Sequence, residues 1–279
     1  MKRAHQLVES DPRAQRPVAR RVRRLAEGLL RRFGLGVRPL AELETLDRAL
    51  HWSYYWYNAG KKPDLRQRDG FGKIAETTIA QKRTYLNFDR LYTLWQALSG
   101  LTSDDPALAE VGAYRGGSAR FMAETLRHHG RSNRLYVFDT FEGHAVVDPT
   151  VDGKHQVGKQ FQATSLEKVQ RYLRHYDNVE ITQGDFCQTA TSLDDVGDFW
   201  AVHVDVDVYP VTLFALNYFA DRIVPGGMIV VDDYGFKRTR GAEKAVEEFV
   251  ELRDDYVRLH LLTGQAVLIK LGATASGSA

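Results

Sequence analysis

The stretch WAVHVDVDVYP, from Trp200 to Pro210, alternates apolar side chains with chemically active ones. Its apolar set is a β-branched stripe of the kind that lines a buried strand face: Val202, Val204, Val206 and Val208. The interleaved set is His203, Asp205, Asp207 and Tyr209. A second acidic pair, Asp232 and Asp233, follows another apolar run, MIVV. Two apolar strands that both end in carboxylates indicate a polar site at one edge of a buried sheet.

The segments on either side of this stretch alternate between strand and helix patterns. Strand patterns occur at ALAEVG (107–112), RLYVFD (134–139), VEITQG, WAVHVDVDV and GGMIVVDDY, and helix patterns separate them. Two late strand patterns, YVRLHLL and QAVLIKL, are joined by Thr263-Gly264, which suits a hairpin. Alternating strands and helices predict a parallel sheet that is covered on both faces. We therefore predict an α/β, Rossmann-like fold of the class I methyltransferase type, with a mostly parallel seven-stranded sheet ending in an antiparallel hairpin.

Charge and composition divide the 279 residues into unequal regions. Residues 1–38 hold eleven Lys/Arg against three Asp/Glu, a charge of +8, whereas the remainder carries −6. We expect residues 1–80 to form a basic helical extension with a lid or oligomerisation segment, 81–272 the methyltransferase domain, and 273–279 a flexible tail. The amphipathic helix VARRVRRLAEGLLRRFG is expected to pack on the acidic domain or on a second subunit. Contact with anionic lipid or nucleic acid is the alternative.

Cysteine usage and hydropathy exclude several classes of protein. Cys187 is the single cysteine of the chain, so an internal disulfide and a multi-thiolate metal site are excluded. No apolar run approaches the roughly 18 residues that a membrane-spanning helix needs, and the N-terminal residues lack the apolar core of a signal peptide. We expect a cytoplasmic protein without a membrane span.

The segment EVGAYRGGSA joins the first strand to its helix. Glycines let the backbone turn tightly, and a helix N-terminus offers N–H groups to an anion. The glycine spacing is not G-x-G-x-x-G, which argues against a nicotinamide dehydrogenase. The loop fits the methionyl part of S-adenosylmethionine (SAM), and a turn that binds no ligand is the alternative. We expect the SAM carboxylate near Ser118 and its ammonium near Glu110. The candidate SAM contacts here are Glu110, Gly112, Tyr114, Gly116 and Ser118.

Three more residues at strand ends are candidate SAM contacts. Asp139 ends the second strand and is placed to accept hydrogen bonds from ribose hydroxyls, as an acid there does in NAD and SAM enzymes alike. Asp185 follows the third strand, where class I methyltransferases contact adenine, and Phe186 is available for stacking. Both aspartates are also good cap and turn residues, so a structural role is the alternative.

The acidic residues at the ends of two strands predict a metal site. Asp205 and Asp207 are two apart on a predicted strand, so their side chains should leave the same face. The neighbouring strand should deliver Asp232 and Asp233 to the same rim. Carboxylates this close raise one another's pKa unless something neutralises them. Mg²⁺ and Ca²⁺ prefer carboxylate and water oxygens, so we predict a hard divalent cation here, with solvated acids as the alternative.

Several segments together resemble the macrocin O-methyltransferase family: EVGAYRGGSA, FDTFEG, FQATSLEKVQRYLRHYDNVEITQGDF, HVDVDVYPVT and PGGMIVVDDYGFKRTRGAEKAVEEF. The resemblance covers residues 76 to 270. It implies Mg²⁺- and SAM-dependent methylation of sugar hydroxyls on macrolide, aminocoumarin and related glycosylated natural products. By motif, Asp205, Asp232 and Asp233 would ligate the cation and Asp207 would be the general base. His203 is a rival base, because its reference pKa is better matched to neutral pH.

We therefore expect a metal-dependent SAM O-methyltransferase that acts on a small-molecule glycoside or another vicinal diol, and that forms a homo-oligomer. One alternative is a methyltransferase acting on a catechol, another small diol or an amine. Another is a SAM-binding protein whose basic N-terminal arm binds nucleic acid. Since no aromatic-basic recognition motif accompanies that arm, nucleic acid is not the expected partner.

Overall fold

The computed structural model describes residues 70–272 of the chain. The predicted basic helix and C-terminal tail lie outside the described residues, as does the aromatic run HWSYYWY at 51–57. Within residues 70–272, none of the helices has the length and apolar character to span a membrane. The predicted homo-oligomer and cytoplasmic location stay predictions.

Helices and strands alternate through the described residues. The helices are α1 (Phe71–Ala80), α2 (Phe88–Ser99), α3 (Gly117–His128), α4 (Leu166–Leu173), α5 (Phe186–Thr189), α6 (Tyr209–Phe219) and α7 (Arg240–Glu251), with a 3₁₀ turn at Ala190–Leu193. The strands are β1 (Ala107–Val111), β2 (Leu135–Asp139), β3 (Val179–Gln183), β4 (Phe199–Val204), β5 (Ile223–Val231), β6 (Tyr256–His260) and β7 (Ala266–Lys270).

The seven strands form one sheet in the order β3-β2-β1-β4-β5-β7-β6. Strands β1 to β5 are parallel, and β7 runs antiparallel to both β5 and β6. The predicted parallel sheet with a terminal antiparallel hairpin is confirmed. The strand order reverses between β1 and β4, and ligands of open α/β sheets bind in the crevice outside the carboxyl ends of the strands at such a point.

Apolar side chains cover both faces of the sheet. One layer packs residues of α6 and α7 on the sheet, and the other packs α1, α2 and α3. Phe71 of α1 is fully buried, and its ring contacts those of Phe88 and Tyr92, with centroids 4.8 and 5.0 Å apart. Residues 71–80, which sequence composition assigned to the N-terminal extension, therefore share the core of the domain that contains the sheet.

Two element boundaries differ from the sequence patterns. The amphipathic pattern from Gln81 to Leu98 predicts a helix over that whole range, but the helix begins only at Phe88. The strand expected to run to Val208 ends at Val204, so Asp205 and Asp207 are not strand residues. Asp207 has a φ of +61°, because the chain must turn there to enter α6, which has Pro210 in its first turn. The strand-alternation argument for the shared face of the two aspartates was therefore wrong.

Candidate functional site

A cavity of about 730 Å³ opens at the carboxyl ends of the parallel strands, where the strand order reverses. Its volume lies in the range of small-molecule sites. Six predicted cofactor contacts line it: Gly112, Tyr114, Ser118, Asp139, Asp185 and Phe186. The four predicted acids also line it: Asp205, Asp207, Asp232 and Asp233. Glu110, Gly116 and His203, also predicted as site residues, are not among its lining residues.

The loop after β1 needs glycine at two positions. Gly112 has a φ of +95°, and an ideal Cβ built on it would overlap the backbone carbonyl oxygen of Asp205. Gly116 has a φ of +78° and is the N-cap of α3, so it shapes the loop from outside the cavity. Ser118, in the first turn of α3, is buried and faces the cavity. The loop thus brings the N-terminus of α3 to the same crevice as the acids that follow β4.

Asp139 holds this loop in place. Its Oδ2 accepts hydrogen bonds from the backbone N–H groups of Ala113 at 2.8 Å and Tyr114 at 2.6 Å. Its Oδ1 accepts one from Phe141 at 2.6 Å. Burial raises the pKa of Asp139, and these three hydrogen bonds oppose that rise. A carboxylate offers about four acceptor positions, so one remains for a ligand hydroxyl, and the ribose contact stays a prediction.

Asp185 and Phe186 have structural roles in addition to facing the cavity. Asp185 is the N-cap of α5, and its Oδ1 accepts the backbone N–H of Cys187 at 3.0 Å. The Phe186 ring is buried and meets the edge of Phe138, with centroids 4.9 Å apart. Both residues lie beside β3, as predicted, and their contact with adenine stays a prediction.

Three buried ionisable side chains lie in a row beneath the cavity, with His203 between Glu110 and Asp232. The Nδ1 of His203 lies 2.9 Å from Glu110 Oε1, and its Nε2 lies 3.8 Å from Asp232 Oδ1. Burial lowers the pKa of His203, but Asp232 and Glu110 outweigh it and raise the pKa to about 10. Because a protonated imidazole has no free lone pair, His203 is disfavoured as the base. Glu110 Oε1 is engaged by His203, whereas Oε2 is buried without a hydrogen-bond partner among the described residues, and the predicted contact of Glu110 with an ammonium group stays a prediction.

Asp205, Asp232 and Asp233, the acidic triad, bring carboxylate oxygens within 4.8 Å of one another. Burial, followed by repulsion from neighbouring aspartates, raises the pKa of Asp205 and of Asp233 well above the usual range. The pKa of Asp232 is lowered despite its burial, because His203 and Arg90 stabilise its charged form. Asp233 Oδ2 is buried and has no hydrogen-bond partner among the described residues. This all-oxygen donor set with an unpaired buried oxygen fits a hard divalent cation.

Two partners of the triad were missed by sequence reasoning. The Arg90 guanidinium pairs with Asp232 Oδ2, and Gln265 Nε2 donates to Asp232 Oδ1 at 2.8 Å. Arg90 comes from α2 and Gln265 begins the return into β7, so no local pattern connects either residue to Asp232. Both are held by the packing of α2 and β7 around β5.

Asp207 lies beside two histidines of the long loop that follows β2. Its Oδ2 is 4.0 Å from His144 Nε2, which in turn is 3.1 Å from His155 Nδ1. Burial raises the pKa of Asp207 to about 6, with His155 opposing the rise and Asp232 adding to it. A pKa nearer to neutral makes Asp207 a better proton acceptor than an exposed aspartate. The sequence FEGHAVVDPTVDGKHQVGKQF is typical of a long His-bearing loop, but no pattern in it indicates which histidines would face the acid.

The long loop is anchored over the cavity by Asp152, which is fully buried. Asp152 Oδ1 accepts the backbone N–H of Tyr209 at 2.8 Å, and Oδ2 accepts that of Asp148 at 2.7 Å. The first contact satisfies a free N–H group at the start of α6. The loop therefore forms part of the cavity wall through residues such as His144 and Phe161.

The comparisons with known proteins agree with this fold. The family model Macrocin-O-methyltransferase (TylF) matches residues 70–267. The protein is thus a SAM-dependent O-methyltransferase. Specifically, the chain belongs to the macrocin O-methyltransferase family, as its motifs predicted.

Two curated relatives carry the names of natural-product methyltransferases. The 8-demethyl-8-(2,3-dimethoxy-alpha-L-rhamnosyl)-tetracenomycin-C 4'-O-methyltransferase of Streptomyces olivaceus is 31% identical over 194 residues, covering 64% of this chain and 70% of the relative. The mycinamicin III 3''-O-methyltransferase of Micromonospora griseorubida is 26% identical over 204 residues, covering 68% and 78%. The solved structure of the O-methyltransferase NovP has a TM-score of 0.54 at 23% identity, covering 68% of this chain and 82% of that one, and shares the fold.

Proposed function

We propose that the protein methylates a sugar hydroxyl, or a hydroxyl of another vicinal diol, on a glycosylated natural product, with a hard divalent cation held by the acidic triad. The observation that carries this proposal is the convergence of the three triad carboxylates beside the loop of Gly112. The relatives support the acceptor class, since one is named for a rhamnosyl-bearing tetracenomycin-C and another for mycinamicin III.

The residues around the loop after β1 fit SAM. Gly112, at a positive φ, turns the backbone into the loop that lines the cavity, and the buried Ser118 lies at the N-terminus of α3, where a carboxylate is favoured. We assign Asp139 to the ribose, and Asp185 with Phe186 to the adenine. When bound, SAM supplies an electrophilic methyl group on sulfur for in-line displacement. The protein's contribution is to hold the acceptor oxygen in line with that methyl group.

The acidic triad fits Mg²⁺ or a similar cation. Asp205, Asp232 and Asp233 would hold it, and its charge would relieve the repulsion that raises the pKa values of Asp205 and Asp233. When bound, the cation supplies positive charge that favours the ionised form of an acceptor hydroxyl and orients a vicinal pair. Asp207, at the same rim, accepts the hydroxyl proton on its carboxylate. His203 remains protonated beneath the triad and stabilises Asp232 as an anion.

The acceptor side of the cavity is lined by aromatic rings. Tyr85 and Tyr114 stack with centroids 5.4 Å apart and planes inclined by 13°. The edge of Phe161 meets both rings, at 6.1 and 5.5 Å. Tyr85 is 68% exposed, so its ring is available for contact. Such rings pack well against the apolar face of a sugar or a flat aglycone, and we assign Tyr85 and Phe161 to the acceptor, beside the predicted SAM contact Tyr114.

The test is methyl transfer from labelled SAM to a panel of glycosides, the matching aglycones, catechols and amines. We expect transfer to glycosides in the presence of Mg²⁺, with loss on thorough chelation by EDTA and recovery when Mg²⁺ is restored. Activity that survives chelation would refute the metal role. Transfer to catechols or amines in preference to every glycoside would refute the acceptor class.

A further inference from the structure

The long loop after β2 places two imidazoles next to a carboxylate at the rim of the cavity. His144, His155 and Asp207 each offer one ligand atom, and these three atoms lie within 4.8 Å of one another. We propose that these three side chains form a second metal site, suited to a borderline divalent cation such as Zn²⁺ or Co²⁺. It is separate from the acidic triad, because its donor set includes two nitrogens and shares no residue with the triad.

The spacing of the donor atoms fits such an ion. Zinc lies about 2.0–2.1 Å from a histidine nitrogen, so two donors at a tetrahedral angle are about 3.3 Å apart. The nitrogens of His144 and His155 are 3.1 Å apart, close to that separation. Asp207 Oδ2 lies 4.0 Å from His144 Nε2, so a movement of about 0.7 Å completes the three-ligand face. The carboxylate side chain can supply this by rotation.

A backbone carbonyl between β5 and α7 holds His155 in the orientation that a metal ligand needs. Its Nε2 lies 3.1 Å from the carbonyl oxygen of Arg238. A carbonyl only accepts, so Nε2 carries the proton and Nδ1 presents its lone pair towards His144. A ligating histidine generally donates its second N–H to a carbonyl or carboxylate in this way. Asp152, three residues earlier, anchors the loop to Tyr209 at the start of α6.

The types of ligand atom determine which metal ion each site prefers. Imidazole nitrogen suits zinc, cobalt, nickel and copper, whereas carboxylate and water oxygens suit magnesium. Excess Mg²⁺ should therefore fill the acidic triad and leave the histidine site to the softer ion. If Asp207 is the base, as the proposed function holds, an ion bound here occupies its carboxylate. Asp207 then cannot accept the hydroxyl proton, and methyl transfer is inhibited. That consequence rests on the proposed function, whereas the binding site does not.

The test uses Co²⁺ as the probe on the full-length protein in a large excess of Mg²⁺. We expect one Co²⁺ per chain by titration calorimetry, with the visible absorption of a low-coordinate, nitrogen-ligated ion. His144→Gln and His155→Gln should each lose this absorption and weaken binding on the order of 10- to 100-fold or more. The matched control is His175→Gln, which removes an exposed histidine beyond α4 and should bind Co²⁺ as the unaltered protein does.

Asp207→Asn gives an independent reading, because it removes the third ligand without altering the loop. It should also lose the absorption, and thermal unfolding of each variant without Co²⁺ will show that the fold persists. Unaltered Co²⁺ absorption and affinity in both loop variants would overturn the site. Loss of binding in those variants, with wild-type turnover insensitive to Zn²⁺ in excess Mg²⁺, would support the site and count against Asp207 as the base.

Discussion

The backbone carbonyl oxygen of Asp205 occupies the space that a side chain on Gly112 would need. Gly112 follows the strand β1 and Asp205 follows β4, so this contact joins the proposed SAM loop to the acidic triad. The two halves of the site are thus positioned against each other by backbone packing, before any ligand is bound. A change at Gly112 should therefore disturb cofactor binding and metal binding together.

Replacing Gly112 by alanine should destabilise the protein and weaken SAM binding. The positive φ and the overlap with Asp205 each cost about 1–3 kcal/mol, so we expect a loss of about 3 kcal/mol in the free energy of unfolding. Gly130→Ala is the matched control, because Gly130 has a φ of +66° and open space around its Cβ position. Denaturant unfolding and SAM calorimetry measure both effects. Equal losses in the two variants would show that the contact with Asp205 is unimportant.

Asp207→Asn should remove turnover while leaving SAM affinity unchanged. Asparagine keeps the shape of the side chain and tolerates the positive φ of residue 207, so the backbone should be retained. Loss of a general base typically costs 10²–10⁴-fold in rate. Single-turnover methyl transfer and SAM calorimetry measure the two properties, with the exposed Asp195→Asn as control. Turnover within a few-fold of the unaltered protein would exclude Asp207 as the base.

Arg90→Met should make the stability of the protein depend more strongly on Mg²⁺. The substitution leaves the buried Asp232 without its guanidinium partner, which costs on the order of 3 kcal/mol. A cation bound by the triad compensates part of that charge, so Mg²⁺ should raise the Tm of Arg90→Met more than that of the unaltered protein. The exposed Arg134→Met serves as control. An equal Mg²⁺-induced shift in all three proteins would contradict a cation at the triad.

Cys187 should react slowly with iodoacetamide at neutral pH. Burial, with a smaller contribution from the charge of Asp185, raises the pKa of its thiol to about 11. A raised pKa disfavours the thiolate, which is the reactive form, so the rate should climb about tenfold per pH unit between pH 7 and 10. In denaturant it should level off near the ordinary pKa of about 8.5. Since this is the only cysteine in the chain, the readout is unambiguous, and a plateau near pH 8.5 in the folded protein would disprove the shift.

Asp152→Asn should loosen the loop that carries the two histidines. The buried carboxylate accepts backbone N–H groups from both Tyr209 and Asp148, and the amide of asparagine can replace only one of these acceptors. We expect a loss of about 1–3 kcal/mol in the free energy of unfolding. Hydrogen exchange at residues 144–155 should accelerate, with the exposed Asp254→Asn as control. Unchanged exchange in this loop would show that Asp152 does not anchor it.

The fold could be predicted from the sequence because its determinants are local. Alternating runs of apolar residues define strands, and the helical patterns between them define a covered parallel sheet, so the order of elements and the terminal hairpin followed directly. The convergence of Asp205 with Asp232 and Asp233 also followed, because adjacent parallel strands end at the same edge. The pattern failed at Asp207, where valines at every second position resembled a strand although the chain was already turning into α6.

The sequence by itself determined the sheet, the glycine loop and the clustering of acids, since backbone geometry and apolar periodicity act over a few residues. Only the tertiary structure decided which charges pair. Arg90 meets Asp232 across 142 residues, and His203 is held protonated between Glu110 and Asp232. The pairing of His144 with His155 likewise depends on a loop anchored far along the chain, at Tyr209. Electrostatic pairing depends on distance and on the loss of water around each group, and tertiary packing alone sets both.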